Sequence, residues 1–225
     1  MARLCVALDT FKEKALQLVD QLKEYPLIYK IGYKLFIPYG AELIKEIQQK
    51  VPNSEIFLDL KLHDIPNTVR NGVFEASQLG VSYLTVHAMG GKEMISAAAQ
   101  VKANTKLLGV TLLTSHDEEY LKELSINLSK EDFVLRLAKI ALSSGADGLV
   151  CSAHEVEFLK KELGNFLAVV PGIRPQGKSS DDQKRVATPK EAVDKGADIL
   201  VVGRPIVQSQ APRKVVEEIL TQIGF

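Results

Sequence analysis

Net charge, long apolar runs and paired cysteines are all missing from this chain. Lys+Arg and Asp+Glu both number 28 in 225 residues, so the formal net charge is zero. Without a broad basic field, neither a nucleic-acid binder nor a surface that gathers anionic lipid is expected, and any affinity for phosphate has to be built locally. No segment approaches the ~20 apolar residues of a membrane span. The start, "MARLCVALDTFKEK", has too short an apolar run for a secretory signal and lacks a small-residue cleavage pattern, so the expected location is cytoplasmic. Only two cysteines occur, Cys5 and Cys151, in separate apolar stretches. They are expected to be buried structural thiols rather than a disulfide or a metal knuckle. None of the four histidines pairs with another at a ligand spacing such as H-x-x-x-H, so no metal site is expected.

Repetition is what the chain has instead. Short Val/Ile/Leu-rich runs recur, each followed by a segment of helical period, as in parallel strands covered on both faces. Eight such pairs can be counted, with strands expected at 3–9, 27–33, 54–61, 82–88, 106–113, 147–152, 166–172 and 198–204. Helices are expected near 12–24, 38–51, 66–79, 91–103, 131–144, 154–163, 188–195 and 212–223. In "LGVSYLTV", "SGADGLVC" and "KGADILVVG", Gly80, Gly145 and Gly196 stand two or three residues before a strand. Glycine suits the left-handed position that ends a helix. These features predict an α/β fold, one (β/α)8 domain of TIM-barrel type over residues 1–225. A doubly wound open sheet is the alternative and would place a glycine-rich loop after the first strand. The segment "ALDTFKEK" has none.

In a barrel of this type the chemistry sits at the carboxyl ends of the strands. Asp9, Lys30, Asp59 with Lys61, His87, Thr114 with Ser115, Ser152, Pro171 with Gly172, and Gly203 with Arg204 all fall there. Asp59 and Lys61 are two apart in a strand and share a face, leaving Leu58, Leu60 and Leu62 to the helices. Charges turned into a barrel must compensate one another, and Lys30 offers a second cation for Asp59 and Asp64. The bland alternative is an exposed, salt-bridged edge strand in which Asp64 caps the helix begun by Pro66. A second signal is the loop "VVPGIRPQGKSSDDQKR" followed by "VVGRPI". The loops after strands seven and eight commonly bind phosphate in such barrels, which makes Arg174 and Arg204 candidate cations; otherwise they are ordinary solvated arginines. Ser115 beside His116 is no catalytic triad, because a base must be near in space rather than in sequence.

The run "LDLKLHDIPNTV" closely resembles the signature of the orotidine 5'-phosphate decarboxylase family, as do "VALD", "YKIGYKLF", "TLLTS", "PGIRPQG", "DDQ" and "VVGRPI", in order along nearly the whole chain. The resemblance implies a (β/α)8 homodimer that removes the carboxylate of orotidine 5'-phosphate to give UMP, with no metal and no organic cofactor. It makes Lys61 the proton donor, Asp59 the carboxylate beside the substrate carboxylate, Lys30 the link from the charge network to the ribose, and Asp9 a ribose contact. Asp64 and Thr68 match residues that reach into the neighbouring subunit's site, where Asp64 is expected to act as a catalytic residue, holding Lys61 in place together with Asp59. Thr114 falls where the pyrimidine is contacted, and Arg174, Gln183, Gly203 and Arg204 match the phosphate side, with Gln183 on a closing loop. One alternative is a metal-dependent sugar-phosphate decarboxylase or aldolase of the same superfamily, whose members tend to carry a carboxylate where this chain has Lys30. Another is a barrel that binds a nucleotide without turning it over.

Overall fold

Alternation along each strand sorts the side chains of the barrel onto two faces. The computed structural model describes residues 1–52, 54–175 and 186–225. Eight parallel strands, β1 (Arg3–Ala7), β2 (Ile28–Ile31), β3 (Glu55–Leu62), β4 (Tyr83–His87), β5 (Lys106–Val110), β6 (Gly148–Val150), β7 (Leu167–Val170) and β8 (Ile199–Val202), close in sequence order. β1 pairs with both β2 and β8, so the sheet has no free edge and the open-sheet alternative does not apply. Cys5, Ala7, Ile28, Phe57, Leu108, Val169 and Val201 form a buried cluster drawn only from strands, which is the barrel interior. The neighbouring positions Leu4, Val6, Ile56, Leu58, Leu84, Val86 and Leu107 join the larger apolar layer shared with the helices.

Ten helices surround the barrel among the described residues: α1 (Lys12–Leu22), α2 (Tyr33–Lys50), α3 (Pro66–Gln78), α4 (Gly91–Ala99), α5 (Glu118–Glu123), α6 (Lys130–Ser143), α7 (Ala153–Leu163), α8 (Pro189–Asp194), α9 (Arg204–Val207) and α10 (Pro212–Gln222). None is long and apolar enough to cross a membrane. Three departures from the expected pattern have local causes. α2 begins at Tyr33 rather than near residue 38, passes Pro38, and breaks at Gly40 (φ 51°). α5 and α9, six and four residues long, lie inside βα loops and are too short to leave a periodic signal. The strands stop short of their apolar runs because Asp9, Thr114 and Gly203 leave the ladder to form the rim.

The repeated glycine joint has a structural meaning. Gly80, Gly145 and Gly196 take φ of 69°, 100° and 96°, the left-handed turn that redirects a helix into the next strand. Two residues after the last two glycines, an aspartate pins the preceding strand. Asp147 accepts the Leu107 N–H (2.7 Å) and pairs with Lys102, while Asp198 accepts the Ala168 N–H (2.8 Å) and pairs with Lys160.

The amino end of the barrel is closed by a polar floor. Arg3 pairs with Glu55 at 2.6 Å, and the Tyr83 hydroxyl donates to Glu55 and accepts from Arg3, both at 3.1 Å. Burial, with the Glu55 charge beside it, pushes the Tyr83 hydroxyl up to about 12, so it stays a donor at neutral pH. Packing at β6 leaves no room for a side chain, since a Cβ on Gly148 would collide with the Leu167 backbone. Gly148→Ala is therefore expected to cost about 1–3 kcal/mol, read as a lower urea midpoint at unchanged m.

Candidate active site

A cavity of about 960 Å³ opens at the carboxyl ends of the strands. Asp9, Lys30, Asp59 and Lys61 line it from the first three strands, Thr114 from beyond β5, and Arg174, Gly203 and Arg204 from the last two. Lys14 of α1 and Lys34 of α2 also line it, two cations that motif reading passed over.

The charges form a continuous row. Asp9 Oδ2 lies 3.5 Å from Lys30 Nζ, Lys30 Nζ lies 3.2 Å from Asp59 Oδ2, and Lys61 Nζ donates to Asp59 Oδ1 at 2.8 Å. Positive and negative groups alternate along it, which is how buried ions remain charged. Burial works against the Lys30 ammonium, but Asp59 and Asp9 outweigh it and hold its pKa above the ordinary lysine value. Burial likewise opposes the Asp59 carboxylate, and Lys30 and Lys61 together hold its pKa below the usual carboxylate range. The two lysines differ in access: the Lys30 side chain is 11% exposed and that of Lys61 is 28%, so Lys61 is the ammonium a ligand meets.

Strand alternation alone does not bring Lys61 there. Between Leu58 and Leu62, β3 advances four residues while β4 advances two, from Leu84 to Val86, so β3 bulges. Within the bulge Lys61 has φ of 46°, unusual for a residue with a side chain. Thr85 of β4, fully buried, meets the bulge: its Oγ1 accepts the Lys61 backbone N–H at 2.8 Å and donates to Asp59 Oδ1 at 3.0 Å. The Tyr33 hydroxyl donates to the Leu60 carbonyl at 2.7 Å, and its ring centroid lies 5.8 Å from Lys61 Nζ, within cation–π range. Sequence reading singled out neither residue. Thr85 had a signal, since it shares the inward register of "YLTVH" with Tyr83.

Other expected residues lie elsewhere. Asp64 is exposed beyond the end of β3, and its Oδ1 accepts the Ile65 N–H at 2.6 Å. The second carboxylate facing Lys30 is therefore Asp9 and not Asp64, because the chain has left the barrel by residue 64. Thr68 is exposed in the first turn of α3. Arg174 is buried and donates from Nη1 to the Ile173 carbonyl at 2.9 Å, and Arg204 begins α9 directly after Gly203. Gln183 lies outside the described residues. His63 and His87 stack with centroids 5.6 Å apart. Burial, with the Lys61 ammonium nearby, holds His87 down at about 4, leaving a neutral ring whose Nδ1 accepts the Met89 N–H. Among the described residues, no group of three or more His, Cys, Asp or Glu is arranged to hold a metal ion.

The model of one family, described as "Orotidine 5'-phosphate decarboxylase / HUMPS family", matches residues 2–219. The chain belongs to that family. Within the orotidine 5'-phosphate decarboxylase / HUMPS family, a protein of Aquifex aeolicus named orotidine 5'-phosphate decarboxylase is 49% identical over 100% of this chain and 99% of its own length. One of the same name from Psychromonas ingrahamii is 45% identical, covering 96% of this chain and 95% of the relative. The crystal structure of orotidine 5'-phosphate decarboxylase from Lactobacillus acidophilus superposes with a TM-score of 0.88 at 38% identity, and the match covers 100% of both chains.

Proposed function

We propose that this chain decarboxylates orotidine 5'-phosphate to UMP and CO2 in pyrimidine biosynthesis, in the cytoplasm, with the whole of 1–225 forming one catalytic unit. The observation that carries the reading is the alternating row Asp9–Lys30–Asp59–Lys61, whose more accessible ammonium lines a cavity that Arg174 and Arg204 also line. Breaking the bond between the ring and its carboxylate leaves an electron pair on a ring carbon with no adjacent carbonyl to delocalise it fully. The barrier is therefore a problem of stabilising charge. Lys61 Nζ faces the developing carbanion and gives it a proton as CO2 departs, and the resulting amine regains a proton from solvent. Asp59 anchors Lys61 from one side, and its own negative charge beside the substrate carboxylate is relieved as CO2 leaves. Lys30 keeps Asp59 ionised and reaches toward the ribose, with Asp9 completing that contact. Thr114 contacts the pyrimidine.

The phosphate lies far from the bond that breaks, against Arg174, Gly203 and Arg204 and with Gln183 as a further contact, and its binding energy serves to exclude water from the reacting centre. Arg204→Ala is expected to lower kcat/KM on the order of 10- to 100-fold, the worth of one charge-assisted phosphate contact, and a phosphate-free nucleoside is expected to react poorly. Asp64 and Thr68 serve the site of a second copy in a homodimer. Their exposure, with Ile65 and Phe74 also exposed on and beside α3, supports that arrangement. The direct test follows the ultraviolet spectrum of orotidine 5'-phosphate mixed with purified protein, with and without a chelator. Loss of substrate absorbance in both samples is expected. Turnover that stops with chelator would instead favour a metal-dependent chemistry, and tight UMP binding without turnover would favour a binding barrel.

A further inference from the structure

The bulge in β3 creates a structural debt inside the barrel. Lys61 has left the β3–β4 ladder, and a buried backbone N–H without an acceptor is costly. Thr85 Oγ1 is that acceptor at 2.8 Å, which fixes where the hydroxyl proton can go. With its lone pair turned to Lys61, the hydroxyl donates to Asp59 Oδ1 at 3.0 Å, the oxygen that also accepts from Lys61 Nζ at 2.8 Å. The other oxygen, Oδ2, faces Lys30 at 3.2 Å. One fully buried hydroxyl thus ties the backbone of Lys61 to the carboxylate that holds the Lys61 side chain. Backbone and side chain of the same lysine are tethered at two points, and the tether crosses from β3 to β4.

We propose that Thr85 is a positioning residue for the reaction: it holds the strained Lys61 backbone and the Asp59 carboxylate in register, so that the Lys61 ammonium meets the reacting carbon. The inference rests on the decarboxylase reading for its kinetic consequence, though its structural consequence stands without it. A positioning role is felt where charge develops and much less where the nucleotide is merely held. Valine matches threonine in shape but lacks the hydroxyl. Thr85→Val should therefore lose on the order of 10- to 100-fold in kcat, with KM and UMP affinity changed by less than about threefold. Thr85→Ser restores the hydroxyl and should recover kcat to within about fivefold of wild type.

The experiment measures kcat, KM, UMP affinity and the melting curve for wild type, Thr85→Val and Thr85→Ser, and solves the crystal structure of each variant that folds. A folded Thr85→Val with wild-type kcat overturns the proposal, as does one that loses UMP affinity and kcat in parallel. If Thr85→Val does not fold, Thr85→Ser decides: retained kcat supports the role and a loss of tenfold or more removes it. The crystal structures separate this inference from the functional one. Even if the wild-type chain did not turn over orotidine 5'-phosphate, the proposal requires Lys61 to leave its positive φ or to move away from Asp59 in Thr85→Val. A Lys61–Asp59 pair that stays in place there refutes it.

Discussion

Lys61→Ala is expected to lower kcat for orotidine 5'-phosphate by about 10,000-fold or more while UMP still binds within about tenfold of wild type. Two effects are lost together, the charge opposite the carbanion and the proton that quenches it, and no other group replaces either. Lys30 cannot substitute, because its ammonium is more enclosed and already shared between Asp9 and Asp59. The phosphate-side residues are untouched, so binding survives. Single-turnover kinetics beside a UMP titration check the split, and a variant with near-normal kcat would remove Lys61 from the mechanism.

Asp59→Asn carries the second largest effect, on activity and stability at once. Its carboxylate accepts from Lys61 and Thr85 and pairs with Lys30, so neutralising it leaves two ammonium groups facing each other, with Asp9 the one remaining carboxylate paired to Lys30 among the described residues of the chain. Breaking a buried pair from one side typically costs about 3–5 kcal/mol, measurable by urea unfolding at neutral pH. Turnover should fall by about 1,000-fold, since the proton donor loses its anchor. The pH dependence follows from the direction of each shift. Asp59 has a depressed folded pKa, so its contribution is present above the ordinary carboxylate value, near about 4, and is lost as pH falls through the lower folded value. Lys30 has a raised folded pKa, so its contribution is complete below about 10.5 and is lost as pH rises beyond that. An Asp59→Asn protein should thus show a smaller loss of stability on acidification than wild type. An equal acid loss in both would place the acid-sensitive group elsewhere.

Much of this was legible without coordinates, for reasons that are local. Uninterrupted Val/Ile/Leu runs separated by helical period announced strands buried on both faces, and the glycines before them announced where helices turn back. Asp59 and Lys61 stood out because charge in such a run demands a partner. α5, α9 and the early start of α2 were not legible, because four to six residues are too few to show a helical period and the "YKLF" that opens α2 is apolar enough to continue a strand. The proposed partnership of Lys30 with Asp64 also failed within the chain, since sequence distance cannot say that β3 has already left the barrel by residue 64.

By itself the sequence determined the order of the eight strands and of the long helices between them, the inward Asp59 on β3 and the need to balance cations against carboxylates, because strand period and the cost of an unpaired buried charge act over a few residues. Only the tertiary structure decided that Asp9 completes the row, that Lys61 enters the cavity through a bulge with positive φ, and that Thr85 spans the gap. Each of those depends on the register between strands that are far apart in the chain. That register is set by how eight strands close on one another, and no single strand encodes it.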